Sequence, residues 1–380
     1  MYSVERTRGV NYLKDFDYFL MFCVAVLTFI GLVALRSATL QATSDLFKKQ
    51  AIFAAIGFVL CIIISFIDYK DFKPIGTVLY IISLCLLVLV LFKGIGRKEW
   101  GSNSWLVFPV IGSFQPSEIA KIAFIIICAS YFEKFKEESV KTKDILKLFI
   151  LASLPVALIL KQPDAGTAMV FFFVIIVMLF IFGVSYKYFL GTFGLMAISS
   201  PFLWFFVLRD HQKWRIITFI HPELDKTDKG YQVYKAKLAI GSGQLWGQGF
   251  GNGLQTQNNG VPIKESDFIF TVIGEEFGFI GTTIVVLFVF MFLIRIIYIA
   301  SKSRDSFGCF SAIGIGSMFA FHFIENIGMN IGVLPVTGIP LPFISAGGSA
   351  MITNFIAVGI LLSISMRRNI GFSKARRAAF

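Results

Sequence analysis

The stretch Glu265-Ser-Asp-Phe-Ile-Phe-Thr-Val-Ile-Gly-Glu-Glu-Phe-Gly278 ends a long polar segment and opens an apolar helix, carrying four carboxylates across the boundary. Ionised groups at membrane depth are costly and mark function by default. Asp267 stands where the polar segment meets the apolar run, whereas Glu275 and Glu276 lie inside it. At about 1.5 Å per helical residue, Glu275 falls roughly 12 Å beyond Asp267, too deep for the two acids to serve one substrate hydroxyl. The two glutamates therefore read as ties between spans. Asp267 has two readings: a helix N-cap, a duty Ser266 also suits, or a general base partly desolvated against Phe268, Ile269 and Phe270.

The rest of the chain explains why membrane depth is the right frame. It has 380 residues, is 56% hydrophobic and has a mean hydropathy of +0.76, well above the ~45–50% apolar content of soluble chains. Apolar runs long enough to cross a hydrocarbon core, which takes about 20 residues, recur at 17–38, 48–67, 75–93, 117–133, 146–160, 165–183, 188–207, 268–297, 308–334 and 342–366. Lipid leaves backbone groups unsatisfied unless they bond internally, so the spans are helices. The expected architecture is an all-α integral membrane protein with ten transmembrane helices. It forms a single polytopic domain over 1–380, with a large extracellular loop, 208–267, between helices 7 and 8. No cleavable signal is evident ahead of the first run.

Lys and Arg concentrate at the N-terminus, 70–73, 134–143, 187, 295–304 and 367–377, while the opposing short loops hold only Lys48, Lys49, Lys93, Arg97, Lys98 and Lys161. The basic side is cytoplasmic, which puts both termini inside and the long loop outside. The net charge of +12 is thus mostly topology. The basic tail is expected to meet anionic lipid headgroups, not nucleic acid. Cys23, Cys61, Cys85, Cys128 and Cys309 all fall in apolar runs and read as packing residues; no Cys/His cluster supports a metal site. No cofactor motif is evident, and a divalent cation is left open.

Outward segments carry the remaining polar signals. Residues 230–240 suit an amphipathic helix on the membrane surface, with Tyr231 and Tyr234 at the interface. The glycine-rich run Gly241–Gly253 lacks the Gly-Lys-Ser/Thr ending of a nucleotide loop and reads as a set of turns, the other reading being a phosphate cradle. Glu118 and Lys121 are three apart and share a helical face; an ion pair orienting helices and a cation facing an anionic substrate are equally compatible with that spacing. Asp164 reads as an N-cap of the next span or a network acid, ahead of a direct part in catalysis. His322 and Glu325 suggest an internal hydrogen-bond network. Leu334–Ser349, with three prolines, is either a tight turn into the last span or a broken helix whose backbone lines a cavity.

Gln115-Pro-Ser-Glu118, Gln162-Pro-Asp-Ala-Gly-Thr167, Ala239-Ile-Gly-Ser-Gly243, Asp267-Phe-Ile-Phe-Thr-Val-Ile-Gly-Glu-Glu276 and Pro335-Val-Thr-Gly-Ile-Pro-Leu-Pro-Phe-Ile-Ser345, in this order over nearly the whole chain, resemble the SEDS family of RodA, FtsW and SpoVE. The Gly338–Phe343 run and Asn326–Met329 are more similar to its RodA branch. The resemblance implies ten helices and an inverting peptidoglycan glycosyltransferase. Such an enzyme polymerises lipid II at the outer face, releases undecaprenyl pyrophosphate and works with a class B penicillin-binding protein in cell-wall elongation and shape maintenance. It further implies that Asp267 is the essential aspartate, that Trp105 is functionally important, and that Glu118, Lys121 and Asp164 line a central cavity. Where the family often has Gly-x-Arg-Arg-Trp this chain has Gly101-Ser-Asn-Ser-Trp105. Lys121, Arg97, Lys98 and Arg215 are then the candidates to meet the pyrophosphate. Two rival readings are a lipid II flippase and a non-enzymatic scaffold of the wall machinery.

Overall fold

The computed structural model describes residues 12–41, 45–96, 103–108, 112–137, 142–202, 204–205, 213, 217, 229–258 and 260–368. After a short turn of helix, α1 (Tyr12–Asp15), come α2 (Tyr18–Ala38), α3 (Leu46–Phe66) and α4 (Phe72–Lys93). A two-stranded hairpin follows, β1 (Leu106–Phe108) and β2 (Gly112–Phe114), antiparallel with Val107 opposite Ser113. Then come α5 (Pro116–Glu137), α6 (Thr142–Lys161), α7 (Ala165–Phe182) and α8 (Tyr186–Phe202). The described part of the long segment 208–267 holds α9 (Lys229–Ser242) and α10 (Leu254–Gln257), and the chain closes with α11 (Ile269–Ser301), α12 (Ser306–Asn330) and α13 (Gly348–Met366). Among the described residues, seven helices are long and apolar enough to cross a membrane: α2, α3, α4 with its preceding turn, α7, α11, α12 and α13. Helices also form over the expected fourth, fifth and seventh spans, as α5, α6 and α8.

Sequence signals set the helix ends. Asp17, Asp164 and Asp305 cap α2, α7 and α12, accepting from the backbone N–H of Leu20, Thr167 and Gly308, the ordinary use of Asp at an N-terminus. Gly183, at φ 100°, ends α7 in the left-handed conformation that glycine supplies at low cost. The N-cap reading of Asp164 is therefore what the structure shows.

At the centre, α12 packs on α5, α7 and α11, α13 packs on α3, and α2 packs on α11. One end of the bundle is drawn together by buried charge. Arg295 donates to both Asp17 oxygens at 2.9 Å, Ser365 donates to the same carboxylate, and the Arg367 guanidinium reaches the Ser65 and Phe66 carbonyls. These contacts join α2, α3, α11 and α13.

The ninth and tenth elements depart from the expected spans. α12 stops at Asn330, not 334, and α13 begins at Gly348, not 342. The intervening chain is not a surface turn. Ile339, Leu341, Phe343 and Ile344 are buried, and Phe343 stands among Phe292, Phe319 and Phe355 with ring centroids 5.5–5.7 Å apart. A Cβ at Gly31, well inside α2, would meet the Ile344 backbone at 2.5 Å, so glycine lets the segment approach. Non-helical backbone is tolerated at such depth only when its polar groups find partners. Here Asn326 Nδ2 donates to the Ile339 carbonyl, the Leu341 N–H to Ser345 Oγ, Gln50 Nε2 to the Ser345 carbonyl and the Gly347 N–H to Gln50 Oε1. The segment is therefore not the tight turn the sequence allows, and it matches the broken-helix alternative only in being inserted non-helical chain, since the backbone groups named here bond to protein partners.

Candidate active site

The inserted segment and α12 together hold the junction that carries Asp267. The chain from Val261 to Phe268 is a run of turns, and α11 takes its N-cap from Phe268, whose side chain makes no capping bond. Asp267 is thus one residue outside the cap position. Its carbonyl accepts two hydrogen bonds of 2.9 Å, from Asn326 Nδ2 and Asn330 Nδ2. Asn330 Oδ1 in turn accepts from the N–H and hydroxyl of Thr271, one turn into α11. From the other side Ser345 Oγ donates to the Ser266 carbonyl at 2.6 Å and the Ala346 N–H to that of Glu265 at 2.9 Å. The Asp267 carboxylate accepts from Ser266 Oγ at 3.1 Å and faces Gly338, where a Cβ would come within 3.3 Å of Oδ2. Ile263 and Phe343 take left-handed φ values of 54° and 67° on the two segments that meet here. Such backbone is costly for bulky residues, persists only where the surroundings enforce it, and clusters at functional sites.

The four carboxylates of Glu265–Gly278 separate. Glu275 is fully buried and accepts from the Gln255 N–H, the Thr256 N–H and the Thr256 hydroxyl at 2.6–2.9 Å. It caps α10 and does not tie two spans, a correction to the expectation. Glu276 does tie α2 to α11, through Ser37 Oγ at 2.6 Å, with Gln257 joining the same oxygen. Lys264 is buried as well and donates to the Thr256 carbonyl. Burial pulls its ammonium below the ordinary range, against the pull of Glu265, Glu275 and Glu276.

The glycine-rich run is a splint, and no phosphate cradle is built from it. α11 breaks at Gly278 (φ 66°, ψ −162°). The carbonyls of Glu275 and Glu276 accept from the Gln248 and Gly249 N–H groups, and the Phe279 and Ile280 N–H groups donate to the Gln244 and Leu245 carbonyls. The approach needs bare backbone on both sides. A Cβ at Gly243 would lie 2.0 Å from the Gly274 carbonyl, one at Gly247 2.1 Å from that of Glu276, and one at Gly278 2.4 Å from the Gly247 nitrogen.

A second polar cluster sits between α5 and α12. Lys121 Nζ pairs with Glu118 Oε1 at 3.0 Å and lies 3.0 Å from His322 Nε2, all three side chains being buried. The other ring nitrogen, Nδ1, lies 2.7 Å from the Met318 carbonyl, so an N–H at Nδ1 leaves Nε2 to accept from the lysine. Glu325, expected beside His322, turns elsewhere and accepts from Thr337 Oγ1 at 2.9 Å. Thr337 also touches the start of α7: a Cβ at Gly166 would meet its carbonyl at 3.0 Å. Asp164 holds Thr167 Oγ1 at 2.9 Å and Gln115 Nε2 at 3.3 Å, which links α7 to the start of α5. The inserted segment therefore passes between Glu325, the start of α7 and Asp267. Trp105 pairs its backbone with Ile95. Arg97, Lys98 and Arg215 lie outside the described residues. A cavity of about 290 Å³ opens between α3, α5, α13 and β2, with Phe53, Phe114, Ile119 and Ile352 in its wall. Among the described residues no three His, Cys, Asp or Glu side chains gather as metal ligands.

Sequence reasoning missed Asn326, Asn330 and Ser345 as the holders of the Asp267 segment. Their signal was faint: two asparagines four apart in an apolar helix, where a polar side chain needs a partner.

The sequence pattern of a family described as "Cell cycle protein" (FtsW/RodA/SpoVE) matches residues 17–370. A relative from Trichlorobacter lovleyi named "Probable peptidoglycan glycosyltransferase FtsW" is 37% identical over 363 residues, covering 93% of this chain and 94% of that one. "Peptidoglycan glycosyltransferase RodA" of Treponema pallidum is 31% identical, covering 96% and 100%. A chain from a structure titled "Structural coordination of polymerization and crosslinking by a peptidoglycan synthase complex" superposes with a TM-score of 0.80 at 27% identity, covering 93% of this chain and 98% of that chain. The residues around Asp267, the order of the motifs and these likenesses agree, and the chain belongs to the FtsW/RodA/SpoVE (SEDS) family.

Proposed function

We propose that this protein is a peptidoglycan glycosyltransferase that polymerises lipid II at the outer face of the cytoplasmic membrane, with Asp267 as general base. The observation that carries the reading is the anchoring of Asp267. The residue sits just outside the α11 cap, its carbonyl is held by two asparagines, and its carboxylate faces Gly338, where a Cβ would crowd it at 3.3 Å. Asp267 takes the proton of the acceptor's GlcNAc 4-hydroxyl as that oxygen bonds to the MurNAc anomeric carbon of the donor chain. The bond from that carbon to the pyrophosphate oxygen breaks with its electron pair, inverting the centre and releasing undecaprenyl pyrophosphate. A positioned general base contributes about 10²–10⁴-fold, and preorganised cations stabilise the departing charge. Lys121 is the buried cation we assign to that charge, and Arg97, Lys98 and Arg215 are candidates beside it. Glu118 and His322 hold the lysine in place. The apolar cavity beside Ile119 offers space for a polyprenyl chain.

In this reading the chain is one polytopic domain that crosses the membrane ten times, with both termini cytoplasmic, and a class B penicillin-binding protein is its partner. The polymerisation-and-crosslinking complex that it resembles supports the pairing. The RodA-like Gly338–Phe343 run supports a role in elongation and cell shape. The higher identity to a relative named FtsW, 37% against 31%, favours a second reading in cell division. The test is polymerisation of lipid II by the purified protein with its transpeptidase. Wild type should make glycan strands and Asp267→Asn should make none. An Asp267→Asn protein of full activity removes the residue as the base.

A further inference from the structure

The outer segment contains a stretch without charge. From Leu238 to Ile263 there is no Lys, Arg, Asp or Glu, although Lys235, Lys237, Lys264 and Glu265 stand immediately on either side. Within it Leu245 is 60% exposed and Trp246 79%, the reverse of what an aqueous loop does with its largest apolar side chains. The exposed face begins on α9, where Tyr234 and Leu238 lie four residues apart and point outward while Ala236 and Ala239 are buried.

Two further observations say what covers this face. The turn Gln244–Gly249 has exchanged four backbone hydrogen bonds with the broken part of α11, and each bond made inside the protein lowers the cost of seating non-helical chain at the membrane interface, outside the hydrocarbon core. The turn also joins α11 at Phe279 and Ile280, both exposed, which begin the apolar surface of a membrane-crossing helix. Counted back from Ser301, the about 20 residues that cross a hydrocarbon core end close to this attachment. The turn is therefore at the outer boundary of the membrane, where tryptophan, with an apolar ring and one polar N–H, is enriched.

We propose that Gln244–Gly249 is an interfacial anchor, seated in the outer leaflet with Leu245 and Trp246 turned into lipid. The anchor has a mechanical consequence. The inner face of α9 packs through Ala236 and Ala239 with Phe268, beside Asp267, and the turn itself splints α11. The lipid surface thus sets the height of the Asp267 junction. The inference does not depend on the reaction assigned to that residue.

Tryptophan fluorescence of the full-length protein in phosphatidylcholine vesicles tests this. Trp246→Phe keeps an aromatic ring at an exposed position, so the difference between wild type and Trp246→Phe isolates the Trp246 signal. With acyl chains brominated near the headgroup, that signal should fall about twofold relative to unbrominated vesicles, as expected for a ring at the interface. Aqueous iodide should quench it less than it quenches free tryptophan. A Trp246 signal indifferent to brominated lipid overturns the proposal, whatever iodide does; the face would then belong to water or to a protein partner.

Discussion

Asn330 holds Asp267 from behind. Its Nδ2 donates to the Asp267 carbonyl at 2.9 Å while its Oδ1 accepts from the Thr271 hydroxyl at 2.7 Å. One side chain at the end of α12 thereby fixes both the acid and the first turn of the helix behind it. Asn330→Ala should leave a buried carbonyl with one donor fewer, at a cost of about 1–3 kcal/mol. The more telling effect is on rate, since small misplacements of a reacting group can cost about a hundredfold. Steady-state kinetics on lipid II should show kcat falling with KM little changed. A rise in KM alone would place Asn330 in substrate binding instead.

Glu118 and Lys121 form a pair buried on both sides, and Lys121 also meets His322. Removing one member of a buried pair costs about 3–5 kcal/mol, whereas replacing both with apolar residues is often neutral. Glu118→Ala should therefore lower thermal stability in detergent sharply, and Glu118→Leu with Lys121→Met should recover much of it. If Lys121 meets the pyrophosphate as proposed, the recovered double variant still makes no polymer. A stable and active double variant would show the pair to be scaffolding.

Much of this arrangement was legible in the sequence, and the failures share one cause. Apolar length located the helices, and the place of Asp267 at the polar boundary set it apart from Glu275 and Glu276, although Glu275 caps α10 and does not tie two spans. Those readings need only local geometry. The Gly241–Gly253 run forms the turns expected of it, but its partner could not be read because that is set by a break some thirty residues later, at Gly278. The Pro335–Ser345 motif could not be placed because its depth depends on Gly31 in α2 and on an aromatic pocket built from three other helices. Asn326 and Asn330 look like any polar residues in a span until Asp267 lies across them. Distance along the chain hid each of these contacts.

Gly278 is the point where α11 gives way to its splint. Its φ of 66° with ψ of −162° belongs to a region nearly closed to other residues, and a Cβ there would meet the Gly247 nitrogen at 2.4 Å. Strain of this kind costs about 1–3 kcal/mol before the clash is counted. Gly278→Ala should lower the melting temperature and unseat the Gln244–Gly249 turn. Hydrogen exchange would show this as faster exchange at Gln248, Gly249, Phe279 and Ile280. Unchanged protection at those four amides would mean that the splint does not depend on the break.

Asp305 gives the fold a pH dependence at the opposite end of the bundle from Asp267. Burial pushes its carboxyl up. The Gly308 N–H at 2.9 Å, the Tyr69 hydroxyl at 2.7 Å and the Lys70 ammonium at 3.0 Å outweigh burial, and the group titrates below its ordinary value near 3.8. A depressed carboxylate stabilises the folded state above its unfolded value, and that contribution is lost as pH falls through the folded one. Asp305→Ala should thus cost about 1 kcal/mol at neutral pH, the usual worth of an N-cap. The gap from wild type should close once acid has protonated the wild-type carboxylate. Unfolding midpoints of the two proteins, compared at about pH 7 and at successively lower pH below 3.8, check the sign. A gap that persists unchanged in acid would mean that Asp305 acts by shape alone and that its charge contributes nothing to holding Tyr69 and α12 together.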